Sequence, residues 1–138
     1  MKNLLLTFAL CMGLGLHANT IPTTYDNVST TKYITESDAF CTLIQHGNIL
    51  AVKSMIEVGT NVNAKSNGLT PLMYAARQNK VEIVKLLLAN GANIKAKGDR
   101  GLTALQWAKL TKAHDAYALL KKEQQDLKAR KKAKRRMA

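Results

Sequence analysis

The chain has 138 residues, a formal net charge of +12, and 46% hydrophobic residues. That length holds one domain with tails rather than several domains. Three histidines and nine acids leave little material for catalytic or metal chemistry, and the basic excess favours acidic partners.

Residues 1–18 differ in kind from the rest. Lys2 supplies a positive start, Leu4 to Leu16 is apolar and uncharged, and Ala18 ends the run before polar Asn19-Thr20. This pattern predicts a secretory signal peptide cut after Ala18, with the mature chain exported to the periplasm or secreted. The apolar run is short for a bilayer span. Phe8-Ala9-Leu10-Cys11 is a poor lipoprotein box, because Leu10 is large for its place before the cysteine. Removal of the leader leaves Cys41 as the single cysteine, which excludes an internal disulfide. Cys41 then reads as a small buried hydrophobe or as an exposed thiol that pairs with another chain. Residues 19–37 are rich in Thr, Ser and Asn with no sustained period and read as a linker.

The most informative stretch runs from Gly68 to Lys97. Thr70 is a helix N-cap type and Pro71 fits the first helical position. Leu72, Ala75 and Ala76 share one helix face, and Asn79-Lys80 breaks the pattern. Val81, Ile83, Val84, Leu86, Leu87 and Leu88 form a second apolar series that ends near Gly91, which suits a left-handed cap. Neither helix is long enough to stand alone in water, so the unit requires copies of itself.

Copies exist on both sides. A forward shift of 33 takes Gly68-Leu69-Thr70 to Gly101-Leu102-Thr103 and Tyr74 to Trp107. A backward shift of 32 takes Leu72 to Phe40, Val84 to Val52, Gly91 to Gly59 and Thr70 to Asp38, read as another N-cap. With its period of about 33 and the Thr70-Pro71-Leu72 opening, the region 38–120 resembles the ankyrin repeat family. The departures are specific. The family's histidine after Thr-Pro-Leu is Met73 here, Gln106 in the third copy and Cys41 in the first. Of these only Gln106 is expected to bond back to its threonine. The outer copies read as caps on the middle one.

The resemblance implies an all-α solenoid of about three helix–turn–helix repeats (38–65, 66–98 and 99–120), joined by short extended or hairpin connections. It implies that the first helices line a concave face, and that a partner protein binds the finger tips and the exposed side of those helices. The tips are Lys65-Ser66-Asn67 and Lys97-Gly98-Asp99-Arg100. The first-helix positions are Tyr74, Arg77 and Gln78, then Trp107, Leu110 and Thr111. Tyr74 and Trp107 would form an aromatic ladder beside Arg77, Lys97 and Arg100, residue types that dominate interfaces. The bland alternatives are a Tyr74 partly buried between repeats, a Trp107 packed beneath the tail and cations that are simply solvated.

Nothing predicts catalysis, a cofactor, a metal or a small-molecule substrate. His46 and His114 fall in inter-helix turns a repeat or more apart, and no metal, phosphate-loop or thiol-redox motif occurs. The tail, 121–138, carries nine Lys or Arg against Glu123 and Asp126, with no Gly or Pro to stop a helix. Arg130, Lys131, Lys132, Lys134, Arg135 and Arg136 make a polyanion-attracting cluster suited to an anionic membrane surface or nucleic acid. The alternative is a frayed, solubilising terminus. No aromatic is interleaved there for base stacking.

Overall fold

The computed structural model describes residues 34–137, so the expected leader and most of the linker lie outside the described residues. Six helices follow in pairs. They are α1 (Glu36–His46), α2 (Ile49–Glu57), α3 (Pro71–Arg77), α4 (Val81–Ala89), α5 (Ala104–Leu110) and α6 (His114–Met137). Among the described residues there is no strand, only a bridge between Ser66 and Leu69.

Threonine opens the first helix of every pair. Thr70 Oγ1 accepts from the Met73 N–H at 3.3 Å, and Thr103 Oγ1 accepts from the Gln106 N–H at 3.4 Å. Gln106 returns the bond: its Oε1 accepts from the Thr103 N–H at 2.8 Å, which closes a capping box. Met73 was expected to contribute nothing here. Its thioether sulfur instead lies 3.5 Å from the Thr70 N–H, a weak acceptor in the same place. The first repeat corrects the expectation further. Asp38 is not its N-cap. Thr35 is, and Asp38 sits three residues on, accepting the Thr35 N–H at 3.2 Å. With Glu36 in place of a turn glycine, the helix gains a turn at its start, and the linker boundary at 37 falls inside α1.

The turn between helices is left-handed at Gly47, at Asn79 and at Lys112, equivalent positions in the three repeats. Asn79 does more than turn. Its Oδ1 accepts the Ala116 N–H at 2.9 Å and its Nδ2 donates to Asp115 Oδ2 at 3.0 Å, so the second repeat caps the last helix of the third. Gly91 has φ +86°, as expected of a cap that strains any L side chain. The finger between α2 and α3 closes on Asn67-Gly68, both at positive φ, between the paired backbones of Ser66 and Leu69. Positive φ at both central residues is the pattern of a tight hairpin turn.

Stacking buries what single repeats cannot. Phe40, Ile44, Val52, Leu72, Val84, Leu87, Ala108, Ala116 and Leu120 form one continuous core, each almost fully enclosed. The most extensive helix contact is α3 against α5, where Ala75, Ala76, Ala104 and Ala108 are buried and let backbones approach. Fingers are tied as well: the Asp99 N–H donates to the Gly68 carbonyl at 3.0 Å, and the Asn93 N–H to Asn63 Oδ1 at 2.8 Å. The ends are less finished than capping repeats should be, since Leu50 and Val58 in the first repeat are 75% and 82% exposed. α6 runs on past its buried Ala116 and Leu120 as the sequence predicts, and every residue from Lys128 to Met137 is exposed.

Candidate functional site

A cleft of about 450 Å³ opens between the finger turns and the first helices. α1 contributes Gln45, the hairpin Asn67, Gly68 and Leu69, and α3 Tyr74 and Arg77. The next finger adds Asp99 and Arg100, and α5 adds Trp107. Five of the seven residues predicted for protein binding therefore meet at one place. Gln78 does not line it, because it is the C-cap of α3. Lys97 is exposed outside it.

The aromatic ladder needs correction. Tyr74 is 5% exposed and Trp107 9%, so neither ring projects as an anchor. The Tyr74 hydroxyl donates to the Ser66 carbonyl at 3.1 Å, which ties α3 to the finger hairpin. Ser66, expected at a fingertip, is itself buried. The rings form the floor, and arginines form the accessible layer above. The Arg77 guanidinium lies 6.0 Å from the Tyr74 ring centre and 5.8 Å from that of Trp107. Arg100 lies 5.9 Å from Trp107 on its own account. Such stacking is worth about 0.5–1 kcal/mol at an exposed site and, more usefully, holds a flexible side chain in place. Asp99 is occupied by Lys65 at 3.1 Å, an exposed pair of small energetic worth.

Gln45 was missed, although the signal was present. It lies 32 positions before Arg77, and the repeat shift applied to Arg77 rather than to Tyr74 would have found it. The forward shift of 33 takes Arg77 to Leu110, which is exposed. The hairpin residues Gly68 and Leu69 were read as repeat punctuation, and only the tertiary structure makes them a wall.

Cys41 is buried, and this overturns the reading of an exposed pairing thiol. Burial first, then the nearby Asp38 carboxylate, pushes its pKa from 9.0 up to about 12, partly offset by a bond from Ser66. The thiol stays protonated and inert at neutral pH. No group of metal-ligating residues occurs among the described residues, and no described helix is long and apolar enough to cross a membrane. His46 ends α1 and His114 begins α6. The six cations from Arg130 to Arg136 are all exposed on the α6 extension, far along the chain from the cleft residues.

Stacked helix pairs with a cleft on the first-helix side define a helical repeat scaffold. The chain belongs to the ankyrin repeat family: the family described as "Ankyrin repeats (3 copies)" matches it over residues 23–98 and 39–131. That family is generally a non-catalytic scaffold for protein–protein interaction. Among curated relatives, Dauer abnormal formation protein 25 of Caenorhabditis elegans is 34% identical over 76 residues, covering 54% of this chain and 20% of that protein. The Ankyrin repeat, SAM and basic leucine zipper domain-containing protein 1 of Rhinolophus ferrumequinum is 48% identical over 66 residues, covering 47% and 14%. The chain thus spans a fifth or less of these relatives' length. A chain in the solved complex of a predatory endopeptidase with an immunity protein from Bdellovibrio bacteriovorus matches with TM-score 0.60 and 33% identity. That match covers 64% of this chain and 47% of the other.

Proposed function

We propose that this protein is exported and binds another protein through the cleft on its concave face. The observation that carries the binding reading is the pair of arginines, Arg77 and Arg100, stacked over Trp107 beside an open cleft. Arginine over aromatic floor is the composition of interface hot spots. The solved neighbour, found in a complex of an endopeptidase with an immunity protein, is consistent with such a role. Export rests on the leader pattern of residues 1–18, and mass spectrometry of the mature protein should find Asn19 at its start.

The test of the binding reading is affinity capture with the full chain. Arg77→Glu should lose the captured protein while its melting midpoint stays with the parent. Deletion of residues 128–137 should leave capture intact. The reverse result would move the site to the tail. That second reading has its own observation: seven of the ten residues 128–137 are cations, all exposed, with no acid among them. It makes the tail a salt-sensitive binder of an anionic membrane surface or nucleic acid.

A further inference from the structure

We propose that the cleft reads carboxylates: it takes an extended acidic segment of the partner protein, with a Glu or Asp side chain held by Arg77 and Arg100 beside Trp107. This rests on the reading that the concave face binds protein, and it names the chemistry of what is bound.

Arg77 and Arg100 carry charge that no ion pair among the described residues cancels. Three ion pairs occur among the described residues, Lys53–Glu57, Lys65–Asp99 and Lys85–Glu82, and none includes Arg77 or Arg100. Both guanidinium groups nevertheless lie within 6 Å of one indole ring. Like charges brought to one ring repel each other, and the one acid among the described residues that line the cleft, Asp99, already pairs with Lys65. A carboxylate arriving from outside relieves that repulsion.

The geometry of the cations favours this occupant. A guanidinium is a planar fork of donors that matches a carboxylate with two parallel bonds, and it sheds water more readily than an ammonium. Stacking on Tyr74 and Trp107 removes torsional freedom before binding, so less is lost on binding. The surroundings favour a peptide over a bare anion. Leu69 and the accessible edges of Tyr74 and Trp107 add a small apolar surface, Gln45 lines the cleft from α1, and about 450 Å³ is far more than an inorganic anion fills. The net charge of +12 adds steering toward an acidic segment.

Trp107 is the only tryptophan in the chain, so its fluorescence reports this cleft. The full-length protein is titrated with a capped decapeptide of alternating Glu and Leu, and with the same peptide carrying Gln for Glu. The Glu peptide should saturate a change in Trp107 emission, and the Gln peptide should bind at least ten-fold more weakly. Arg77→Gln and Arg100→Gln should each weaken the Glu peptide about ten-fold. Arg77→Lys should recover only part of the loss, because it restores charge without the fork. Lys85→Gln, which removes one positive charge on α4, should have no effect.

Equal binding of the Glu and Gln peptides overturns the proposal, as does the absence of a saturable change. A Gln peptide that binds only with a free C-terminal carboxylate also overturns it, in favour of chain-end recognition. Proteins captured by the full chain separate this failure from that of the broader reading. Capture lost in Arg77→Glu but not displaced by the Glu peptide leaves concave-face binding standing without carboxylate recognition. Capture that survives Arg77→Glu removes both.

Discussion

In α3, six of seven residues are buried, whereas in the last ten residues of α6 none is. Both segments are helical, and the reasons are opposite. α3 is shorter than any helix that persists alone, so its order comes from neighbours on both sides and from the Thr70 cap. The end of α6 is exposed at every residue. It extends a helix already nucleated by buried Ala116 and Leu120, in a sequence of Ala, Lys and Arg that propagates well. Its like charges oppose this: Lys128 and Lys132, Lys131 and Arg135, and Lys132 and Arg136 stand four apart, each pair costing a few tenths of a kcal/mol. Cations near a helix C-terminus recover part of that through the helix dipole. The lesson is that helix as such says little about where stability lies. Packing carries it in one segment, and backbone propagation in the other.

The largest expected break in this contrast comes from the packed side. Leu87 is fully buried, and Leu87→Ala should destabilise by about 2–5 kcal/mol, read from the denaturant midpoint. A midpoint equal to the parent's would mean the repeats do not pack on α4.

Next in size is a purely conformational change. Gly91 has open space around the position of an added Cβ, so only its φ of +86° penalises a side chain. Gly91→Val should cost about 1–2 kcal/mol, and Gly91→Asn distinctly less, since Asn tolerates the left-handed region. Equal costs for the two would point to lost contacts instead of backbone strain.

The junction between packed and unpacked regions is tested by Asn79→Gly. Glycine keeps the φ of +55° but removes the cap on α6, so the loss should be about 1 kcal/mol, with faster amide exchange at Ala116. Unchanged exchange there would show that α6 does not depend on the second repeat for its start.

The smallest effects belong to the tail. Single alanine substitutions from Lys128 to Arg136 should move stability by no more than about 0.5 kcal/mol. Added salt should raise helical circular dichroism slightly as like-charge repulsion is screened. A tail substitution that costs as much as Leu87→Ala would mean the extension packs against something.

Much of the fold was legible because the signals are local. Thr70-Pro71 opens a helix by its own side chain and ring, Gly91 ends one by lacking a Cβ, and the 32–33-residue shift aligns Phe40, Leu72 and Leu105. Where a local signal competed with another, the reading slipped. Asp38 looked like a cap, but Thr35 lies one turn earlier and takes that role, leaving Asp38 to complete the box. The site was legible in membership more than in arrangement. Tyr74, Arg77, Asp99, Arg100 and Trp107 do line one cleft, yet the rings are the floor and the arginines the contact layer.

By itself, the sequence determined the repeat and its period, the caps at Thr70 and Gly91 and the charge of the tail, since each unit is written in neighbouring residues and the period only compares one unit with the next. The tertiary structure alone decided that Tyr74 spends its hydroxyl on Ser66, that Gln45 and Arg100 line one cleft, and that Asn79 bonds the start of a helix at Ala116, 37 positions ahead. Stacking decides these things because burial and hydrogen-bond satisfaction are properties of what lies against a residue. In a solenoid, that neighbour comes from the next repeat.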